Sequence, residues 1–339
     1  MSSTEPHSPD AARSTTTGER SVWAWDIYWR NDHLHACVPV SNPRHLKALE
    51  AHWHTFFAGL GEEATIVDLG TGNGSLAVMA AKFAAERGLS VEIHGVDAAA
   101  IDPLRSVASA RELLAGIHFH PHTRIEELPF EADSIDAVCG QFALEYAEPH
   151  GAVAEIVRVL ARQGRFGFLL HARAGALMER AAMHRDQARH LRASGILARL
   201  AEVFEAIREA GTETAGAATG RQRSACESFE AGLREQLPWL REQPDPELPL
   251  NFLRAVEQLY QAAGRLAPAE RDRLLRDLET RLAAREARVA AMVEAALDEA
   301  GLQSLAALFE SAGARVAERR LLSLGDGGPT LGWWLSGQA

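Results

Sequence analysis

The fold is decided by the stretch Ile66-Val67-Asp68-Leu69-Gly70-Thr71-Gly72-Asn73-Gly74 of this 339-residue chain. An apolar, β-branched run, Ala64–Leu69, leads into Gly70–Gly74, in which glycine occupies every second position. Such a run is typical of a buried parallel strand. Glycine allows positive φ and removes side chains that would keep a ligand from the backbone N–H groups. With the helical segment Ser75–Arg87 behind it, this glycine loop (Gly70–Gly74) predicts a strand, a ligand-binding loop and a helix.

The alternation of strands and helices beyond the glycine loop predicts the architecture. Short apolar runs alternate with Ala-rich helical segments at the spacing of a doubly wound α/β sheet. The further predicted strands are Ser90–Val96, Ile117–His120, Ser134–Cys139 and Arg165–Leu170, and the helices between them are Pro103–Ala115 and Ala152–Leu160.

Residues 173–300, which we call the helical block, carry no strand pattern and are rich in Ala, Arg, Glu and Leu. Pro268–Ala300 has apolar residues at three- and four-residue steps, which predicts one long amphipathic helix. Shorter helices precede it, and we expect them to end at Pro238, Pro244, Pro246 and Pro249. Two more strands, Arg315–Leu324 and Thr330–Ser336, close the chain around a Gly-rich turn.

Composition and charge exclude several classes of protein. The chain is 47% hydrophobic and has a net charge of −11, which excludes a largely disordered protein and argues against a broad nucleic-acid-binding surface. No apolar run reaches the roughly 18 residues of a membrane helix, and the N-terminal residues lack the pattern of a signal peptide. Three scattered cysteines do not make a disulfide framework. We therefore expect a cytoplasmic protein without membrane or nucleic-acid partners.

Several motifs besides the glycine loop stand in the order found in one family of enzymes. They are Asp68 with the three loop glycines, Asp97 at the end of the second strand, Glu126–Phe130 with Ser134–Val138 before and in the fourth strand, and Glu155–Leu160 with Gly164 and Arg165 before the fifth. In these motifs the sequence resembles the class I S-adenosylmethionine-dependent methyltransferases, over about residues 61–171 and 302–339.

The resemblance implies a Rossmann-like methyltransferase core: a doubly wound, seven-stranded, mostly parallel sheet whose last strand runs antiparallel. It also implies a large all-helical insertion between strands five and six. The chain would then divide into a disordered tail (1–20), an N-terminal aromatic and helical lid (21–60), a cofactor-binding core (61–172), the helical insertion (173–300) and the C-terminal part of the core sheet (301–339).

The cofactor implied by the resemblance is S-adenosylmethionine. Its ribose hydroxyls are expected on Asp97, because a carboxylate accepts two hydrogen bonds. The family often has Asp at the position of Arg124, which has no acceptor, so the adenine contact would come from backbone at Arg124–Ile125. The full set of expected cofactor-binding residues is Tyr28, Trp29, Asp68, Gly70, Thr71, Gly72, Asn73, Gly74, Asp97, Arg124, Ile125, Gln141 and Phe142. No metal site is expected, since His33, His35 and Cys37 alternate without a fourth ligand.

Candidate catalytic residues follow strands four and five, whose carboxyl ends border the site. His171 is the candidate base because imidazole titrates near neutral pH, and Glu145 and Tyr146 are further candidates. The structural alternatives are that His171 is a polar wall residue, that Phe142 belongs to the core and that the tryptophans near Tyr28 pack on the sheet edge.

The predicted activity is in-line methyl transfer to a small-molecule acceptor. Family members that methylate exocyclic amino groups typically carry N/D/S-P-P-Y/F after strand four, where this chain has Cys139-Gly140-Gln141-Phe142. The alternatives are a non-catalytic S-adenosylmethionine-binding or scaffold protein, a protein or peptide methyltransferase, and a nicotinamide dehydrogenase, which the G-x-G-x-G spacing disfavours. The helical block either forms a cap over the acceptor or pairs two copies into a homodimer.

Overall fold

The protein, seen in a computed structural model that describes residues 17–37, 43–210, 215–323, 328 and 330–339, is built around one sheet. Its strands are β1 Thr65–Leu69, β2 Glu92–Val96, β3 Ile117–His120, β4 Ile135–Gln141, β5 Leu160–Leu170, β6 Arg315–Ser323 and β7 Thr330–Gln338. The helices are α1 Thr17–Trp29, α2 Pro43–Phe57, α3 Ser75–Arg87, α4 Pro103–Ser106, α5 Arg111–Leu114, α6 Pro149–Val159, α7 Ala176–Ala193, α8 Ile196–Ala210, α9 Ala215–Arg241, α10 Glu247–Ala262, α11 Pro268–Ala295 and α12 Glu299–Ser311. A 3₁₀ turn, Leu144–Tyr146, follows β4.

The seven strands are ordered β3-β2-β1-β4-β5-β7-β6. Strands β1 to β5 are parallel to one another, and β7 runs antiparallel to both β5 and β6. The strand order reverses between β1 and β4, which is the point where ligands bind in open α/β sheets. The sheet is therefore mixed and doubly wound, as the sequence predicted for the core.

Apolar side chains cover both faces of the sheet. On one face, α2 and α3 bury Trp53, Phe57 and Phe83. On the other face, α6 and α12 pack on the aromatic pair Phe166 and Phe309, whose ring centroids are 4.3 Å apart. Both faces being buried is the reason why the parallel strands have continuous apolar sequences.

The disordered tail predicted for residues 1–20 is wrong at its C-terminal end. Residues 17–20 are already helical, because α1 begins at Thr17, whereas residues 1–16 lie outside the described part of the chain. The start of α1 is held by packing: Ser21 is buried, and a Cβ on Gly18 would lie 2.7 Å from the carbonyl oxygen of Tyr146. Most of the predicted Gly-rich turn before Thr330 also lies outside the described residues.

Between β5 and β6 the chain forms the helices α7 to α12, and three of the sequence expectations here were wrong. Pro249 does not end a helix but lies in the first turn of α10, where proline is tolerated. Pro238 does not end a helix but lies inside α9, whose last turn is held by Trp239 stacked on His190 at 3.8 Å. The long helix stops at Ala295 instead of Ala300, because Leu297 donates its N–H to the carbonyl of His171 and so pairs with the end of β5. Within the described ranges, no helix is long and apolar enough to cross a membrane.

Candidate functional site

The glycine loop has the left-handed backbone that its glycines allow. Gly70, Gly72 and Gly74 have φ of +62°, +54° and +89°. A Cβ on Gly70 would lie 2.3 Å from the Cβ of Ala143, and one on Gly72 would lie 2.3 Å from the indole of Trp29. Two of the three positions therefore require glycine both for conformation and for space.

Asp68 holds the glycine loop through hydrogen bonds of its side chain. Its Oδ2 accepts hydrogen bonds from the Thr71 hydroxyl at 2.7 Å and from the Ala77 N–H at 3.2 Å. Burial raises the pKa of Asp68 to about 7, and these two hydrogen bonds oppose that rise. Asp68, the last but one residue of β1, thus ties the loop to the first turn of α3 and does not line the cavity described below.

Asp97 ends β2 next to the glycine loop. Its Oδ2 accepts the Gly72 N–H and its Oδ1 accepts the Ala99 N–H, both at 2.8 Å. Burial raises the pKa of Asp97 to about 6, although the two backbone hydrogen bonds oppose this. The carboxylate is held in a fixed orientation and still borders a cavity.

That cavity, of about 440 Å³, lies at the carboxyl ends of β1, β2 and β4. Of the residues predicted from the sequence, it is lined by Trp29, Gly70, Thr71, Asp97, Arg124, Ile125, Gln141, Phe142 and Tyr146. Arg124 pairs with Glu126 at 3.2 Å, and the side-chain oxygen of Gln141 accepts the indole N–H of Trp53 at 3.0 Å. The structure therefore brings most of the predicted cofactor residues together around one space.

The other predicted site residues lie behind the cavity wall. Five predicted cofactor-binding residues support the cavity wall without lining the cavity: Asp68, Gly72, Asn73, Gly74 and Tyr28. The catalytic candidates Glu145 and His171 also do not line it, and their side chains are fully buried.

Comparison with known proteins supports the same reading of the core. Residues 67–168 match the family model described as a methyltransferase domain. This segment is similar to a methyltransferase domain. The match agrees with the methyltransferase family and enzyme class that the sequence predicted for the core.

Several solved structures are similar to part or most of the chain. One is a geranyl diphosphate methyltransferase in complex with GPP and sinefungin, with 22% identity over 37% of this chain and 44% of that chain and a TM-score of 0.32. Another is the YcgJ protein from Bacillus subtilis, with 27% identity over 42% of this chain and 59% of that chain and a TM-score of 0.31. A SAM-dependent methyltransferase from Aquifex aeolicus has 12% identity over 88% of this chain and 93% of that chain and a TM-score of 0.41.

The chain spans less than half the length of the geranyl diphosphate methyltransferase it matches. No curated protein matches the chain.

One side of the methyltransferase domain's cavity is covered by α1. Gly18, Val22, Trp25 and Trp29 line the cavity from successive turns of this helix. Asn73 of the glycine loop is buried and donates from Nδ2 to the carbonyls of Trp29 at 3.1 Å and His33 at 2.8 Å. Asn73 therefore fastens the end of α1 to the loop.

We predict that Asn73→Ala loosens α1. The variant loses both carbonyl contacts, so amide hydrogen exchange over Val22–Trp29 should accelerate by about tenfold or more. Asn31→Ala is the matched control, because Asn31 is exposed and its side chain bonds only within α1, to the carbonyls of Ile27 and Tyr28. Unchanged exchange in Asn73→Ala would contradict the anchoring role.

His171 and Glu145 form a buried ion pair behind the cavity wall. His171 Nδ1 is 2.7 Å from Glu145 Oε1, which also accepts the backbone N–H of His171 at 2.8 Å. Burial lowers the pKa of His171, but Cys37 and Glu145 beside the ring raise it to about 9 overall. The imidazole stacks on Phe142, with ring centroids 4.4 Å apart and planes inclined by 19°. This pair holds Phe142 in place, and a protonated His171 is not itself ready to accept a proton at neutral pH.

Sequence reasoning missed Trp25, Cys37 and the Ala98–Ala99 segment, all of which line the cavity. A signal for Trp25 was present, because it precedes Trp29 by one helical turn and so lies on the same face of α1. Cys37 had no such signal, since only the chain path after α1 brings it to the cavity.

Proposed function

We propose that the whole chain is an S-adenosylmethionine-dependent methyltransferase that acts on a small-molecule acceptor. The observation that carries this proposal is the cavity of about 440 Å³, bordered by the glycine loop and Asp97 and covered by α1. Its volume is in the range of small-ligand sites, roughly 300–1,000 Å³. A wide groove for a polymer would need an open face, whereas α1 closes one side of this cavity.

The residues around the cavity fit the cofactor. The fixed Asp97 carboxylate is suited to two ribose hydroxyls, and the glycine loop offers backbone without intervening side chains. Arg124 has no acceptor and already contacts Glu126, so we assign the adenine contact to backbone at Arg124–Ile125. When bound, S-adenosylmethionine supplies a methyl group already activated for transfer, so the protein's task is alignment and the exclusion of water.

Three aromatic residues would surround the reacting group. Phe142 lines the cavity with a φ of +58°, and its N–H is bonded to the carbonyl of Leu169. Tyr146 lies against Trp25 of α1, with centroids 6.1 Å apart. We propose that these rings keep water away from the methyl group and that Tyr146, which borders the cavity, touches the acceptor. His171 and Glu145 act through Phe142 and Tyr146 as positioning residues.

The helical block is proposed as the cap of the acceptor site. Its helix α11 packs along α1, and Met292 of α11 lies 4.0 Å from the sulfur of the cavity-lining Cys37. The block therefore reaches the cavity wall from outside, which favours a cap over the alternative of a pairing surface for two copies.

Two measurements test the proposal. Isothermal titration should show S-adenosylhomocysteine binding in the micromolar range and no binding of NAD⁺. Protein incubated with methyl-labelled S-adenosylmethionine and a cell extract should then place the label in the small-molecule fraction. Label confined to the protein fraction would contradict the small-molecule acceptor, and no binding of S-adenosylhomocysteine would contradict the cofactor assignment.

A further inference from the structure

The wall between the cavity and the helical block contains buried polar atoms without partners. Tyr146 Oη, His171 Nε2 and Glu145 Oε2 have no hydrogen-bond partner among the described residues. Glu145 and His171 are fully buried, and Tyr146 stands edge-on to His171 with centroids 6.0 Å apart. Leaving such atoms unpaired in a protein interior is costly. Their clustering at one place makes this wall a candidate for contact with a polar ligand group.

A guanidinium group lies on the other side of this wall. Arg288 of α11 is 7% exposed, and its guanidinium carbon is 4.3 Å from the ring centre of Tyr28 and 5.3 Å from that of Trp25. The one hydrogen bond it makes within the described part of the chain is from Nη1 to Met292 Sδ, at 3.9 Å. No carboxylate of the described residues pairs with it. The two rings and the Met292 sulfur partly stabilise the charge, but they leave the guanidinium without an anionic partner that could neutralise it.

Arg288 is linked to the cavity through its neighbours. Met292 Sδ, which Arg288 contacts, lies 4.0 Å from Cys37 Sγ, and Cys37 lines the cavity. Burial raises the pKa of Tyr146 well above its ordinary value, and the charge of Arg288 acts against that rise. Arg288, Cys37 and Tyr146 therefore surround one region behind Trp25.

A second guanidinium adds to the positive charge of this region. Arg285 lies one turn before Arg288, its Nε is buried without a partner, and its Nη2 contacts His184 Nδ1 at 3.1 Å. Asp245 and Glu247, the carboxylates on this side, both pair with Arg180. Beside the two guanidinium groups, the unpaired polar atoms of the wall are Tyr146 Oη, His171 Nε2 and the Glu145 Oε2 acceptor.

We propose that Arg288 and Tyr146 form the acceptor subsite of this enzyme and that the acceptor is a small aromatic or apolar molecule carrying an oxygen anion, a carboxylate or a phosphate. The proposal rests on the function proposed above. The planar guanidinium fork and the Tyr146 hydroxyl match an oxyanion, while Trp25, Tyr28 and Phe142 supply apolar walls. Because α1 lies between Arg288 and the cavity, the acceptor must displace the Trp25 side of this helix to reach the subsite.

The alternative is that Arg288 only clamps α1 through its contacts with Trp25 and Tyr28. The two roles differ in the expected stability of Arg288→Met. If Arg288 is a ligand-binding group, an apolar side chain of similar length should leave the unliganded protein as stable as the parent or more stable. If Arg288 is a clamp, the substitution should lower the melting temperature.

The test uses benzoate and phenyl phosphate as anionic probes and benzyl alcohol as the neutral probe. Each is titrated calorimetrically into the full-length protein saturated with S-adenosylhomocysteine. We expect an anionic probe to bind at least tenfold more tightly than benzyl alcohol, and the two anions to show which oxyanion is preferred. Arg288→Met should abolish this preference while S-adenosylhomocysteine affinity changes less than twofold.

Arg271→Met is the matched control. Arg271 also belongs to α11, is 4% exposed and lies 5.7 Å from the ring of Phe204, but it packs in the separate core of the helical block and donates to the Ala263 carbonyl. This variant should keep the preference for anions.

Three results would overturn the inference. They are equal binding of charged and neutral probes by the parent, an anion preference that survives Arg288→Met, and a lower melting temperature of Arg288→Met. If S-adenosylhomocysteine itself fails to bind, the proposed function fails, and the same probe titrations without cofactor still decide whether the anion subsite exists.

Discussion

Asp97→Ala should weaken the binding of S-adenosylhomocysteine by about 10- to 100-fold, or about 1–3 kcal/mol. The carboxylate is expected to accept the two ribose hydroxyls, and it also holds the Gly72 and Ala99 N–H groups at 2.8 Å. Removing it therefore deletes the ribose contacts and releases the middle of the glycine loop. Isothermal titration of parent and variant measures the change.

Asp26→Ala is the control for this prediction. Asp26 also accepts a backbone N–H from the same segment, that of Ala100 at 2.7 Å, but it does not line the cavity. Its loss should change the affinity by less than about threefold. Equal affinities of the parent and Asp97→Ala would mean that the ribose is held elsewhere.

Glu145→Ala should lower the free energy of unfolding by about 3–5 kcal/mol, because it leaves the His171 imidazolium buried without a counter-charge. The double variant Glu145→Leu with His171→Phe removes both charges and should recover most of the stability, since both sites are fully buried beside apolar residues. Urea unfolding at pH 7 measures all three proteins. Equal stabilities of the parent and Glu145→Ala would contradict a functioning ion pair.

The same pair predicts a dependence of stability on pH. The folded-state pKa of His171, about 9, is raised above the ordinary value of 6.5, so the folded state binds this proton more tightly than the unfolded state does. The resulting stability is fully present below pH 6.5 and is lost as the pH rises through about 9. Glu145→Gln should weaken this dependence. A parent whose stability does not fall between pH 7 and pH 9.5 would contradict the assignment.

The sequence predicted those parts of the site that depend on local spacing. Asp68, the glycine loop and Asp97 are each defined by a strand end or a turn, so their order along the chain predicts their positions in any doubly wound sheet. The sequence could not separate residues that line the cavity from those that support it. Asp68 and Asn73 are neighbours of lining residues in sequence, yet both point away from the cavity, Asp68 to Thr71 and Asn73 to the end of α1.

How deeply a side chain is buried could not be predicted from the sequence either. His171 was predicted as a base at a strand end, but it is completely buried, with Phe142 stacked on its ring and Glu145 paired with it. Pro238 was expected to end a helix on backbone grounds, and packing of Trp239 against His190 outweighed that local preference. Arg285 and Arg288 lie at positions of the long helix that continue its apolar stripe. They were a sign in the sequence that this face contacts more than a hydrophobic core.

The sequence by itself determined the sheet, the glycine loop and the family of the core, because periodicity, glycine spacing and strand ends are properties of short stretches of chain. Only the tertiary structure decided which groups meet: α1 fastened by Asn73, Glu145 paired with His171, and Met292 of the helical block brought beside Cys37. These contacts join residues between 26 and more than 250 positions apart, and their formation depends on how whole elements pack rather than on any local pattern.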